Sequence, residues 1–153
     1  KWLQVNRPAV TPRVRRFARI EDAAASADDL LSANPDLAGL FIVWDTPALA
    51  AATRLAERGA TMPMATVDLG EAAAIALAQG DSFCCIAAQQ PFLQGIAAAQ
   101  TVILCLLGRP VPAWIALPGI GVTRDNVVES FQTIWRQPAP REVLRVLGLS
   151  RGT

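Results

Sequence analysis

The sequence predicts an α/β fold: a three-layer parallel sheet with helices on both faces. Three observations carry this. Short runs of apolar and β-branched residues alternate with helical stretches along most of the chain. One of these runs, Leu40-Phe41-Ile42-Val43, is continuously apolar, as strands buried on both faces of a parallel sheet are. The segments joining the runs are long enough for right-handed helical crossovers. With 52% hydrophobic and 18% charged residues over 153 positions, the chain suits one sizeable core and is not disordered.

Taken in order, residues 2–5 read as a short strand, followed by a loop with Pro8 and Pro12. Residues 20–33 read as a helix with Asp22, Asp28 and Asp29 on its wet side, broken by Asn34-Pro35-Asp36. The strand 40–43 leads into a helix over 47–58. Pro47 sits just inside its start, Asp45 or Thr46 is placed to cap it, and Gly59 ends it. Then come a strand at 64–67, a helix at 71–78 stopped by Gly80, and a strand at 83–88. The next helix runs from Phe92 to Leu107 and stops at Gly108, ahead of Pro110 and Pro112. Residues 114–117 and 121–123 read as extended. Asn126 is placed to cap a helix to about Arg136, and 141–147 reads as another.

Composition excludes several functions. There is no histidine, so a histidine-dependent triad cannot be built within the chain and the commonest metal ligand is missing. A formal net charge of +1 gives no bulk attraction for nucleic acid. The chain has no P-loop and no G-x-G-x-x-G, and Gly119-Ile120-Gly121 precedes no clear helix. Arg7, Arg13, Arg15, Arg16 and Arg19 read as a solvated loop and helix start, with an anion or an acidic partner as the functional alternative.

The three cysteines match no zinc spacing and make an odd number. Adjacent Cys84 and Cys85 would strain a bridge between them. All three are expected to be buried, reduced and structural. The helix from Phe92 to Leu107 is apolar on nearly every face but shorter than the roughly 20 residues of a spanning helix, so burial on most faces is expected.

In open parallel sheets ligands bind beyond the carboxyl ends of the strands. The strand ends here carry Trp44-Asp45, Asp68-Leu69-Gly70 and Gln89-Gln90-Pro91. An indole, carboxylates and amides together suit a polyhydroxylated ligand: a carboxylate accepts hydroxyl hydrogen bonds, an amide donates and accepts, and an indole covers an apolar sugar face. Each residue also has a plainer reading. Asp45 suits a helix cap, Asp68 a cap or turn, Trp44 packing, and Gln89 and Gln90 a polar turn.

Five segments, in order, resemble the ribose-type sugar-binding proteins of the type I periplasmic binding family. They are N-P-D-L-A-G-L-F-I-V-W-D-T-P-A over 34–48, T-V-D-L-G over 66–70, A-A-Q-Q-P-F-L-Q-G-I over 87–96, L-L-G-R-P-V-P over 106–112 and V-T-R-D-N-V over 122–127. The resemblance implies that the chain is most of one lobe of that fold, its C-terminal portion. It implies a division into a second-lobe ligand-binding domain (1–90), a hinge with a first-lobe-type helix (91–113), and a closing strand with C-terminal helices (114–153).

It further implies a non-enzymatic, cofactor-free solute-binding component of a sugar ABC transport system, located in the periplasm. Asp68 would bind sugar and Gln89 would contact it at the hinge. Trp44 stands where many members carry asparagine, and Asp45 keeps the cap. Gln90 is ambiguous, since it points the other way if the strand continues. The implied partners are a sugar or polyol, a membrane permease and a missing N-terminal lobe. The chain has no starting methionine and no signal peptide, so it is expected to be a piece of a longer protein. The apolar helix would then pack back on its own lobe or against another copy. Two other functions fit an α/β chain: the effector-binding core of a lac-repressor-type regulator, and a small α/β enzyme.

Overall fold

The computed structural model describes residues 2–149; the expected domain boundaries at 1 and 153 lie outside them. Its centre is a four-stranded sheet in the order β1-β2-β3-β4, formed by β1 (Leu40–Ile42), β2 (Met64–Val67), β3 (Phe83–Ala88) and β4 (Ile120–Val122). The first three strands are parallel. β4 runs antiparallel to β3, because the chain reaches it through a helix and a long irregular return. Residues 114–117, expected to be extended, contribute no strand.

The helices are α1 (Trp2–Asn6), α2 (Ala23–Ala33, entered through a 3-10 turn at Ile20–Asp22), α3 (Asp45–Glu57), α4 (Glu71–Gln79), α5 (Pro91–Leu106), α6 (Val127–Trp135) and α7 (Arg141–Val146). The expected strand at 2–5 is instead the helix α1. It buries no residue and has no sheet neighbour to supply ladder bonds, so its hydrogen bonds close locally, as from Arg7 N–H to the Leu3 carbonyl. Gly80 ends α4 with φ 78°, a left-handed conformation that glycine adopts without strain.

One face of the sheet holds the core. Leu40, Ile42, Met64, Phe83, Ile86 and Val122 pack there under Leu55, Leu77, Val127, Ile134 and Val143 from the helices. Thr66 is also buried on this face, and its hydroxyl donates to the Ile42 carbonyl at 2.7 Å. The opposite face is open: Phe41 and Val43 are 62% and 64% exposed, and Cys85 and Ala87 are exposed beside them. The expected helices on both faces are therefore found on one only, since α2, α3, α4, α6 and α7 all join the same layer. The three cysteines, expected to be buried, are all exposed and free. Cys84 and Cys85 lie on the uncovered side of β3, and Cys105 lies on α5.

α5 departs from expectation in the same way. It buries no residue, so it is not buried on most faces, and it touches its own lobe near its start, through Gln94 and Phe92. Phe92, Ile96, Val102, Ile103 and Leu106 are all more than 40% exposed. No helix among the described residues is long and apolar enough to cross a membrane. The arginine-rich loop lies at the surface, where Arg15 pairs with Asp29 at 2.7 Å and Arg19 with Asp22 at 3.0 Å.

Candidate ligand cleft

The carboxyl ends of the three parallel strands meet the N-termini of α3, α4 and α5. There they form a cleft of about 270 Å³ lined by Trp44, Asp45, Asp68, Leu69, Gly70, Gln89, Pro91, Gln94, Ile134 and Trp135. Trp44, Asp68 and Gln89, the residues expected at the site, all line it. Asp68 follows β2 directly, and its backbone N–H donates to the Ala87 carbonyl of β3 at 3.2 Å. Gln89 follows β3, and its amide Nε2 donates to Asp68 Oδ1 at 2.6 Å. Gln94, one turn into α5, donates to Gln89 Oε1 at 2.9 Å. The result is a short relay from α5 to the carboxylate, which fixes the orientation of the Gln89 amide. Among the described residues no donor reaches Asp68 Oδ2, so this oxygen can accept from a ligand hydroxyl.

Backbone conformation sharpens the picture. Among the described residues, the non-glycine residues with positive φ are Trp44 (81°), Asp68 (74°) and Arg136 (55°). Two of them line the cleft and the third directly follows Trp135. Such conformations cost about 1–3 kcal/mol each and persist where the surroundings impose them. They aim the Trp44 and Asp68 side chains at the points where their strands end.

Asp45 does not cap α3. Trp44 holds the cap position with no side-chain cap bond, and Asp45 Oδ2 instead accepts from the Gly70 N–H at 2.9 Å. That bond ties the β1–α3 corner to the β2–α4 corner and so fixes the floor of the cleft. A Cβ on Gly70 would stand 2.7 Å from the same oxygen, so a side chain there would push the carboxylate off its bond. Gln90 leaves the cleft, donating to the Pro118 carbonyl at 2.7 Å.

Three lining residues were not anticipated: Gln94, Ile134 and Trp135. Trp135 ends α6 and is 40% exposed. Its indole N–H donates to the Leu69 carbonyl at 2.7 Å, and its ring lies 6.4 Å from Phe131. The amphipathic pattern of 126–136 marks a helix but does not say which other element its last turn meets. Gln94 falls within the segment over 87–96, and its position one turn after Pro91 is a usable signal. Nearby, the Arg136 guanidinium lies 5.3 Å from the centre of the Phe92 ring, which links α6 to α5. Among the described residues no group of three acidic or cysteine side chains converges as a metal site would require.

No protein-family model matches the chain, and no curated protein does. Solved structures do. An ABC transporter solute-binding protein from Mycobacterium smegmatis with bound glycerol is 30% identical with a TM-score of 0.71, covering 81% of this chain and 44% of its own. One from Agrobacterium vitis with bound allitol is 27% identical with a TM-score of 0.66, covering 80% of this chain and 45% of its own. A second Agrobacterium vitis protein, bound with alpha-D-tagatopyranose, is 20% identical and supports the fold alone, with a TM-score of 0.75 over 89% of this chain and 46% of its own. The chain thus spans under half the length of each of these neighbours. With this sheet, this cleft and these likenesses, the chain has, in part, the type I periplasmic binding fold of the sugar-type ABC transporter solute-binding proteins.

Proposed function

We propose that the chain is the gripping half of a solute-binding component of an ABC transport system, and that its cleft takes a monosaccharide or polyol. The observation that carries this reading is the Asp68–Gln89–Gln94 relay set between two indoles, Trp44 and Trp135. A carboxylate oxygen with no protein donor and a pre-oriented amide recognise vicinal hydroxyls, and the indoles cover the apolar edge of the ligand. The bound ligands of the neighbours, allitol and glycerol among them, are of the same chemical class.

The cleft is open on one side, and its volume falls below the roughly 300 Å³ at which enclosed ligand sites begin. We read residues 1–90 as the ligand-binding lobe, 91–113 as the hinge and a helix belonging to a first lobe, and 114–153 as the closing strand and last helices. A periplasmic location, a first lobe across the cleft and a membrane permease complete the reading. Surface area supports the first lobe. The chain exposes 10433 Å², where a compact protein of 16.3 kDa exposes about 7,500 Å². Exposed apolar residues of α5, Val102, Ile103 and Leu106 among them, contribute to the excess. Alone, the chain would cover that helix with a second copy, and sedimentation would then show a dimer. A monomer with α5 solvent-exposed removes that contact.

The test of binding is tryptophan fluorescence of the chain titrated with polyols and aldoses. Half a site holds its ligand weakly because the opposite wall and the exclusion of water are absent, so the expected response is saturable only at high ligand. Calorimetry of a form extended to two lobes should then show much tighter binding of the same ligand. No response to any polyol or sugar in either form overturns the proposal.

A further inference from the structure

In a regular strand, neighbouring side chains face opposite sides of the sheet. β3 breaks this rule at its two adjacent cysteines. Met64 pairs with Phe83, but the next residue, Ala65, pairs with Cys85, so Cys84 is the extra residue of a β-bulge. Phe83 and Ile86 on either side are buried, whereas Cys84 and Cys85 are both exposed. Their sulfurs stand 4.0 Å apart. The Cys84 thiol is further fixed by donating to the Met64 carbonyl at 3.1 Å. Cys85 lies in register with Ala65 and, beyond it, Phe41, so the pair faces the open apolar side of the sheet. Neither cysteine lines the ligand cleft.

The spacing selects a chemistry. A disulfide needs its sulfurs about 2.05 Å apart, and closing 4.0 Å to that distance between adjacent residues would bend the strand at its bulge, where β2 pairs with Phe83 and Cys85. A centre that bridges two sulfurs at about 2.3 Å each holds them between about 3 and 4 Å apart, a spacing the pair reaches from 4.0 Å by small side-chain rotations. A four-coordinate metal would need further donors, and among the described residues no third acidic or cysteine side chain joins the pair. A centre that needs two sulfurs and carries an apolar group in its remaining valence meets both constraints, because Phe41 and Ala65 offer an apolar floor.

We propose that Cys84 and Cys85 form a vicinal-dithiol site that takes a monosubstituted trivalent arsenical across both sulfurs. In the reaction, an arsonous acid R–As(OH)2 condenses with the two thiols. Two As–S bonds form and two As–O bonds break. Each thiol proton leaves with a hydroxyl as water, and the arsenic stays trivalent, so no oxidant is needed. Burial, and then the neighbouring Cys84, push the Cys85 thiol above its ordinary pKa, so at neutral pH it carries the proton that the condensation releases as water.

The test uses the 153-residue chain and phenylarsine oxide, read by intact mass. One phenylarsenic group per chain should survive washing with excess monothiol and come off with a 1,2-dithiol. It should protect Cys84 and Cys85, but not Cys105, from alkylation. Cys84→Ser and Cys85→Ser should each weaken retention by about 10²-fold or more, as two linked contacts become one, while Cys105→Ser retains the adduct. An adduct lost to monothiol, or one kept unchanged in either Cys84→Ser or Cys85→Ser, overturns the proposal. The alkylation pattern of the unmutated chain decides the matter if a variant fails to fold.

Discussion

Gln89 reaches 2.6 Å from its amide nitrogen to Oδ1 of Asp68, joining the ends of two adjacent parallel strands at the floor of the cleft. The bond orients both partners, and it leaves Asp68 Oδ2 as the acceptor for a ligand. Asp68→Ala should remove a charge-assisted interaction of about 1.5–3 kcal/mol, a tenfold or larger loss in affinity by the ordinary conversion. Fluorescence titration with the best polyol, run beside the unmutated chain, measures it. An unchanged midpoint takes Asp68 out of the site.

Trp44 separates stability from binding. Its φ of 81° is strained for any side chain and easy for glycine, so Trp44→Gly should recover about 1 kcal/mol of backbone strain. Trp44 is 45% exposed, so the packing lost with its covered part offsets that gain. Thermal unfolding should therefore change little while the ligand response falls. A large drop in Tm would show that the ring packs structurally rather than walling the cleft.

The reasons some features were legible in the sequence, and others not, are physical. β3 was bounded correctly at 83–88 because apolar, β-compatible residues stop at a polar pair before Pro91, a strong local signal. That Asp68 and Gln89 share one edge of the cleft was legible because strand ends in a parallel sheet converge by topology. Asp45 was misjudged because its partner, the Gly70 N–H, lies 25 residues away, and a helix start is a local pattern that gives no sign of such a bond. Trp135 was missed for the same reason, since its contact with Leu69 spans 66 residues. The cysteines were expected inside because their strand is apolar. Apolar character marks a face that wants covering, however, not one that is covered, and here the helices gather on the other side.

The tie between Asp45 and Gly70 makes a coupled prediction. Asp45→Ala leaves a half-buried N–H without its acceptor and should cost about 1 kcal/mol in urea unfolding. Gly70→Ala should cost a similar amount, because its Cβ would sit 2.7 Å from Asp45 Oδ2 and displace the carboxylate. Both changes break one bond, so the double variant should lose clearly less than the sum of the two. Additive losses would mean that each residue acts through something else.

Asp28 offers a test by pH. Its carboxylate is 16% exposed and sits between Arg54, with Nε 2.8 Å from Oδ2, and Arg58, with Nη1 2.8 Å from Oδ1. It thereby clamps α2 to α3. The two guanidinium groups, Arg58 first, hold its pKa below the ordinary carboxylate value. A group lowered in the folded state stabilises the fold above its unfolded pKa, near 3.9, and that contribution fades as pH falls through the folded value. The stability of the unmutated chain should therefore drop below about pH 4. In Asp28→Asn, stability at pH 7 should be lower and the acid limb flatter, so that the two curves converge at low pH. Urea midpoints across that range check it. Parallel curves would show that Asp28 contributes no proton-linked stability and that other carboxylates, such as Glu142 beside Arg145, set the acid limb.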